Sequence, residues 1–118
     1  MSERRPTLER WHVDVATGDI ATLDIPPALA RVRRFDVDVR FVVRCPQDNA
    51  TASHAMTVEV NGRREWSRQI DTSNPGQDDS LDYHFRVDVA QGAALRVRAI
   101  TRVRGAARQR LCIAAEEQ

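Results

Sequence analysis

The sequence predicts an all-β fold: a small antiparallel two-sheet β-sandwich, immunoglobulin-like or jelly-roll-like, of about eight strands. The first observation is alternation. Apolar residues recur at every second position in Phe35, Val37, Val39, Phe41, Val43 and Cys45, in Leu81, Tyr83, Phe85, Val87 and Val89, and in Leu95, Val97, Ala99, Thr101 and Val103. Successive side chains of a strand point to opposite faces, so this period gives each strand a dry face and a wet one. The second is punctuation: Gly18, Gly62, Gly76, Gly92 and Gly105 all fall between the alternating runs, where turns need positive φ. The third is the lack of helical periodicity in any segment longer than a turn.

Cutting at the glycines and at Pro26-Pro27, Pro46 and Pro75 leaves strands near residues 9–15, 20–25, 32–45, 53–60, 64–70, 81–89, 94–104 and 108–115. Residues 1–8 precede them as a flexible N-terminal segment of a single domain, 1–118. Residues 26–31 read as a short helical turn, because Pro27 suits a first helical position. The run at 32–45 is long enough to bend across from one sheet to the other. Asn61-Gly62 signals a hairpin. A three-residue loop there pairs Met56 with Trp66 and Val58 with Arg64, keeping Met56 and Trp66 on one face. A two-residue loop would set Val58 against Glu65. Phe41 and Phe85 stand near the middles of long runs and belong in the core. The final run holds Leu111, Cys112, Ile113, Ala114 and Ala115, apolar in both phases, so its second face meets something: more of this chain, or a second copy.

The bulk properties exclude several classes. The chain of 118 residues, 42% hydrophobic and 30% charged, is an ordinary globular sequence. Its formal net charge of +1 gives no global electrostatic reason to expect nucleic acid or a membrane as partner. All 18 basic residues are Arg. GC-rich, bacterial codon usage accounts for that, and for the abundant Ala. The polar start has no signal-peptide core. No apolar run approaches the roughly 18 residues of a transmembrane helix. The expected setting is cytoplasmic, with Cys45 and Cys112 as free thiols rather than a disulfide.

Three families fail at the residues that would carry them. Cys45, Trp66 and Cys112 stand in immunoglobulin order, but Arg110 occupies the place of the corner Tyr. Asn74-Pro75 with Phe85 lacks the paired Asp of a C2 domain. A blue-copper site needs a second His beside Cys45, His54 and Met56, and His12 and His84 fall in wet phases. No cofactor is expected. Ser53-His54, Cys45 with His54, His12 with Asp14, and His84 with Asp82 offer a nucleophile or base. No Gly-rich elbow or oxyanion nest accompanies them.

Two constellations remain. If strands run up and down, the loops at 16–19, 46–52, 71–80 and 104–107 share one end. They would gather Asp19, Asp48, Asn49, Asp71, Asn74, Asp78 and Asp79, oxygen donors of the kind that hold Ca²⁺. Asp48, Asp71, Asp78 and Asp79 are the candidate metal ligands. The other is the outward row Arg96, Arg98, Arg102 and Arg104, broken by Ile100. Stacked guanidinium groups can grip carboxylates or phosphates; alternatively they pair across strands with Asp36, Asp38, Asp82 or Asp88. No aromatics interleave the row, which argues against single-stranded nucleic acid. The resulting expectation is a non-catalytic binding or assembly module. It would act through a sheet face or edge, with itself as a homodimer or with another protein, the last two strands being its carriers. The alternatives are a loop-end module for Ca²⁺ or carbohydrate, for which only Trp11 and Trp66 could stack on sugar, and an enzyme using His54.

Overall fold

The structure is a computed structural model and describes residues 7–48 and 51–118. Its strands are β1 (Arg10–Asp14), β2 (Ile20–Ile25), β3 (Arg33–Arg44), β4 (Ser53–Val60), β5 (Arg63–Asp71), β6 (Asp78–Val89), β7 (Leu95–Arg104) and β8 (Ala107–Glu117). They form two antiparallel four-stranded sheets, ordered β1-β8-β3-β6 and β2-β7-β4-β5. The alternation in the sequence is the reason. In β3 the phase of Phe35, Val37, Val39, Phe41 and Val43 is buried, while Arg34, Arg40 and Arg44 are exposed. The buried phases of both sheets meet as one core, with Met56, Val58, Leu95, Val97 and Ala99 of the second sheet facing Leu111, Ile113 and Ala115 of the first. Phe41 and Phe85 belong to it, as expected.

Three local expectations are corrected. β3 does not bend between sheets; it pairs with β6 and β8 along its whole length. Its length goes instead into the sandwich's main axis, since both neighbours are long enough to follow it. Residues 26–31 form no helical turn, and Gln91 Nε2 donates to the Leu29 carbonyl at 2.7 Å across this connection. The hairpin has a two-residue loop, Asn61 (φ 49°) and Gly62 (φ 81°), with Val60 opposite Arg63. A bulge at Glu65 then sets Val58 opposite Trp66. One extra residue shifts the phase by one side chain. The tight turn is therefore kept and Trp66 still shares the inner face with Met56 and Val58.

Inward-facing arginines close both ends of the core. At one end Arg33 lies 5.4 Å from the Phe35 ring centroid and donates to Glu9, to the Pro26 carbonyl and to the Ala93 carbonyl. Arg31 bridges Glu9 and Glu117, so four charged side chains share this lid. At the other end Arg108 lies 5.7 Å from the Phe41 ring and donates to the hydroxyl and carbonyl of Thr101, tying the first sheet to the second. Among the described residues no helix is long and apolar enough to cross a membrane.

Candidate functional site

Strand order decides what each arginine meets. On the outer face of the first sheet, β3 and β6 lie side by side in uninterrupted register. Arg34 pairs with Asp88 at 2.7 Å, Arg86 with Asp36 at 2.8 Å, Arg40 with Asp82 at 3.6 Å and Arg44 with Asp78 at 3.6 Å. Arg110 pairs with Asp14 at 2.7 Å. The Arg34 guanidinium holds the Asp88 carboxyl below the usual carboxylate range; at Asp14 the Ala16 N–H does more of this than Arg110.

The arginine row of β7 lies on the other sheet. Asp36, Asp38, Asp82 and Asp88 are therefore out of its reach, and the cross-strand pairing expected with them does not form. Arg96 pairs with Asp24 of β2 at 2.7 Å. Arg98 stands between Thr22 and Glu59, Arg102 opposite Ala55 and Arg104 opposite Ser53. Among the described residues none of these three makes an ion pair within 4.0 Å. Ile100 is half-buried between them, opposite Thr57 and the exposed Ile20. The small side chains Ser53, Ala55 and Thr57 of β4 make this face concave. Depressions of about 660, 340 and 220 Å³ follow one another along it, beside Arg96 and Arg98, then Ile100 and Arg102, then Arg104. The Thr57 and Ser67 hydroxyls meet at 2.9 Å across its floor. A row of cations above an open trough can bind an extended anion.

The loop end is real as architecture. Cys45 N–H donates to the Gln77 carbonyl and Thr72 N–H to the Ala52 carbonyl, while Thr101 N–H donates to the Asp19 carbonyl. These loops therefore share an end. Among the described residues, however, no three His, Cys, Asp or Glu side chains gather as a metal-holding group. Asp78 faces Arg44 and the Asp79 carboxylate accepts from the Ser80 N–H at 2.9 Å. Asp71 is exposed at the end of β5, and Asp48 lies in the β3–β4 loop. Asn49 lies outside the described residues.

Cys45, His54 and Met56 are all buried, and Thr72 joins the first two. Its hydroxyl meets His54 Nδ1 at 2.7 Å and its carbonyl accepts from Cys45 Sγ at 3.6 Å. His54 is 1% exposed and its Nε2 has no partner among the described residues. Burial pushes its pKa down, against a smaller upward pull from Asp79. Trp11 and Trp66 are half-buried against the core, Trp66 stacking on Tyr83 at 4.7 Å.

β8 explains its own apolar second phase. It is an interior strand, with β1 on one side and β3 on the other. Cys112 and Ala114 are half-buried on the outer face, between Asp14 and Arg40 and between His12 and Asp38. Both cysteines are free, and burial pushes the Cys112 thiol up. β7 is interior as well, so neither of the last strands offers an edge.

No family model matches the chain, and no curated protein matches it in sequence. Among solved structures it is similar to part of dimeric latent PorU from Porphyromonas gingivalis, with a TM-score of 0.58 at 12% identity over 92% of this chain and 11% of that one. It is less similar to the EclA C-terminal domain, a sugar-binding protein (TM-score 0.44, 12% identity, 96% of this chain and 79% of that one). Infectious bursal disease virus Gt strain gives a TM-score of 0.40 at 12% identity, over 98% of this chain and 37% of that one. Likeness at these identities concerns the fold alone.

Proposed function

We propose that the chain is a non-catalytic docking module that binds an acidic segment of another protein along the outer face of β2-β7-β4-β5. The observation that carries this reading is that Arg98, Arg102 and Arg104 have no ion-pair partner among the described residues, on a molecule whose other sheet pairs its arginines closely. Guanidinium forks favour carboxylates through bidentate hydrogen bonds. Alternate residues of a strand repeat at about 6.7 Å, and so do alternate carboxylates of an extended peptide. Ile100 and Ile20 supply an apolar spot at mid-length. The absence of aromatics in the row removes the stacking platform that single-stranded nucleic acids use.

The test is fluorescence anisotropy with a labelled peptide of alternating Glu and Thr. Wild-type protein binds it in low salt and releases it as salt rises. Arg98→Glu/Arg102→Glu/Arg104→Glu weakens binding by at least about tenfold. Arg34→Glu/Arg40→Glu on the other face leaves it within about threefold, because rim charges away from the contact contribute little. Equal loss from both variants, or tighter binding of a DNA oligonucleotide of the same charge, overturns the reading.

A further inference from the structure

β6 is the longest of the sheet edges in the sandwich. The sandwich has four such edges: β1, β6, β2 and β5. β1 and β2 are short, 5 and 6 residues. β5 carries a bulge and three arginines, Arg63, Arg64 and Arg68. Short length, bulges and charge are the devices that keep edges from pairing with other chains. β6 is 12 residues long, contains no Pro and no bulge against β3, and carries charges of both signs, Asp78, Asp79, Asp82 and Asp88 with Arg86, which can pair with a second copy instead of repelling it. Fully extended it offers a row of unpaired backbone groups about 40 Å long. Among the described residues no strand pairs with its side away from β3.

We infer that two copies of this chain pair antiparallel along β6, about a two-fold axis at His84, to make one continuous eight-stranded sheet from the two β1-β8-β3-β6 sheets. Symmetric pairing about residue 84 places Asp82 opposite Arg86 of the second copy, twice, and Ser80 opposite Asp88. Each copy already pairs Arg40 with Asp82 and Asp36 with Arg86. Across the axis the row then reads Arg40, Asp82, Arg86 of the second copy, Asp36 of the second copy, with charges alternating throughout. The inner phase agrees. Tyr83 meets Phe85 of the second copy, which extends the existing Trp66–Tyr83–Phe85 stack of 4.7 and 5.5 Å. Leu81 meets Val87, and the half-buried Tyr83 and Val87 lose their remaining contact with water.

Neighbouring registers are worse. An axis at Asp82 or at Arg86 sets like charges on the axis itself. One at Tyr83 opposes Asp78 to Asp88, and one at Phe85 opposes Asp82 to Asp88. Opposite charges across a strand pair stabilise it and like charges destabilise it, so the sequence of β6 selects residue 84. This surface is separate from the arginine face of the other sheet, and either proposal can fail without the other.

Sedimentation equilibrium over a wide concentration range tests it. The wild-type chain is a dimer. Asp82→Arg turns each crossed pair into two facing guanidinium groups, and Arg86→Asp turns each into two facing carboxylates. Each variant alone therefore dimerises at least about tenfold more weakly. Mixed one to one, the two variants form a heterodimer, because both crossed pairs then set a cation against an anion. A wild-type monomer at millimolar concentration overturns the inference, as does a mixture that stays monomeric. Should a variant melt early, amide hydrogen exchange of the wild-type chain decides. Outward-pointing β6 amides gain protection on concentration while those of β5 do not; equal behaviour of the two edges overturns the pairing.

Discussion

The two outer faces of this sandwich carry similar numbers of arginines and behave differently, because of which strands lie side by side. β3 and β6 set acid against base at Arg34–Asp88, Asp36–Arg86, Arg40–Asp82 and Arg44–Asp78. β7 has β4 beside it, whose outward residues in the same rows are Ser53, Ala55, Thr57 and Glu59. One face pairs its arginines within the chain; on the other, Arg98, Arg102 and Arg104 make no ion pair among the described residues. Composition cannot distinguish these cases, and register does.

The largest expected effect tests the frame that both faces share. Phe41→Ala removes a fully buried ring and costs about 3–5 kcal/mol, lost transfer energy plus a cavity. Arg40→Ala, its exposed neighbour, costs under about 1 kcal/mol. Denaturant melts of both variants check this. Equal costs would mean the inner and outer phases of β3 are misassigned, and with them the paired face.

Next in size is the lid at the Arg33 end. The Arg33 side chain is 1% exposed and stacks on Phe35, so Arg33→Ala costs about 3 kcal/mol through lost pairing and lost packing. The same lid sets an acid limit. Arg31 donates to the Glu117 carboxylate and holds its pKa below the ordinary value. A depressed carboxyl contributes stability that is complete above its unfolded pKa and is lost as pH falls through the lower folded value. Acid titration of the melting temperature should therefore show a loss below the usual carboxylate range, diminished in Glu117→Gln.

Most of the architecture is legible in the sequence, and the pairing on the faces is not. Strands at 20–25 and 53–60 begin and end where the alternation does. The hairpin register escapes a reading of the sequence because a bulge at Glu65 reconciles the Asn61-Gly62 turn with an inward Trp66, and neither signal alone reveals the extra residue. The partners of the arginine row escape it because strand order is a long-range property: Asp36 and Arg98 lie on opposite sheets whatever their local pattern. The Arg31, Arg33, Glu9 and Glu117 lid does leave a signal. Arg33 shares the phase of Phe35, and Glu117 shares that of Ala115. A charge in a dry phase at a strand end marks a closed lid.

A smaller, pH-dependent effect comes from His54. Burial lowers its folded pKa below that of the exposed imidazole. The unfolded chain therefore binds a proton first, and stability rises with pH through the window below about 6.5. The slope there is at most about 1.4 kcal/mol per pH unit. Melting temperatures at pH 7.5 and 5.5 should differ in the wild type and differ less in His54→Leu. An unchanged difference would assign the slope to other groups.

The smallest effects sharpen the comparison of the faces most directly. Asp36 serves both Arg86 and, at 3.8 Å, His84, so Asp36→Ala should cost up to about 1 kcal/mol. Arg102→Ala removes a side chain without an ion-pair partner among the described residues and should change stability by less than about 0.5 kcal/mol. Salt distinguishes them further. Ions screen attraction on the paired face and repulsion within the arginine row, so added salt should shrink the cost of Asp36→Ala. It should also erase any gain from Arg102→Ala. Melts of both variants at low and high ionic strength read these differences. If both respond to salt with the same sign, the β7 arginines are neutralised within the chain after all, and the outer face of the second sheet has no charge left over for a partner.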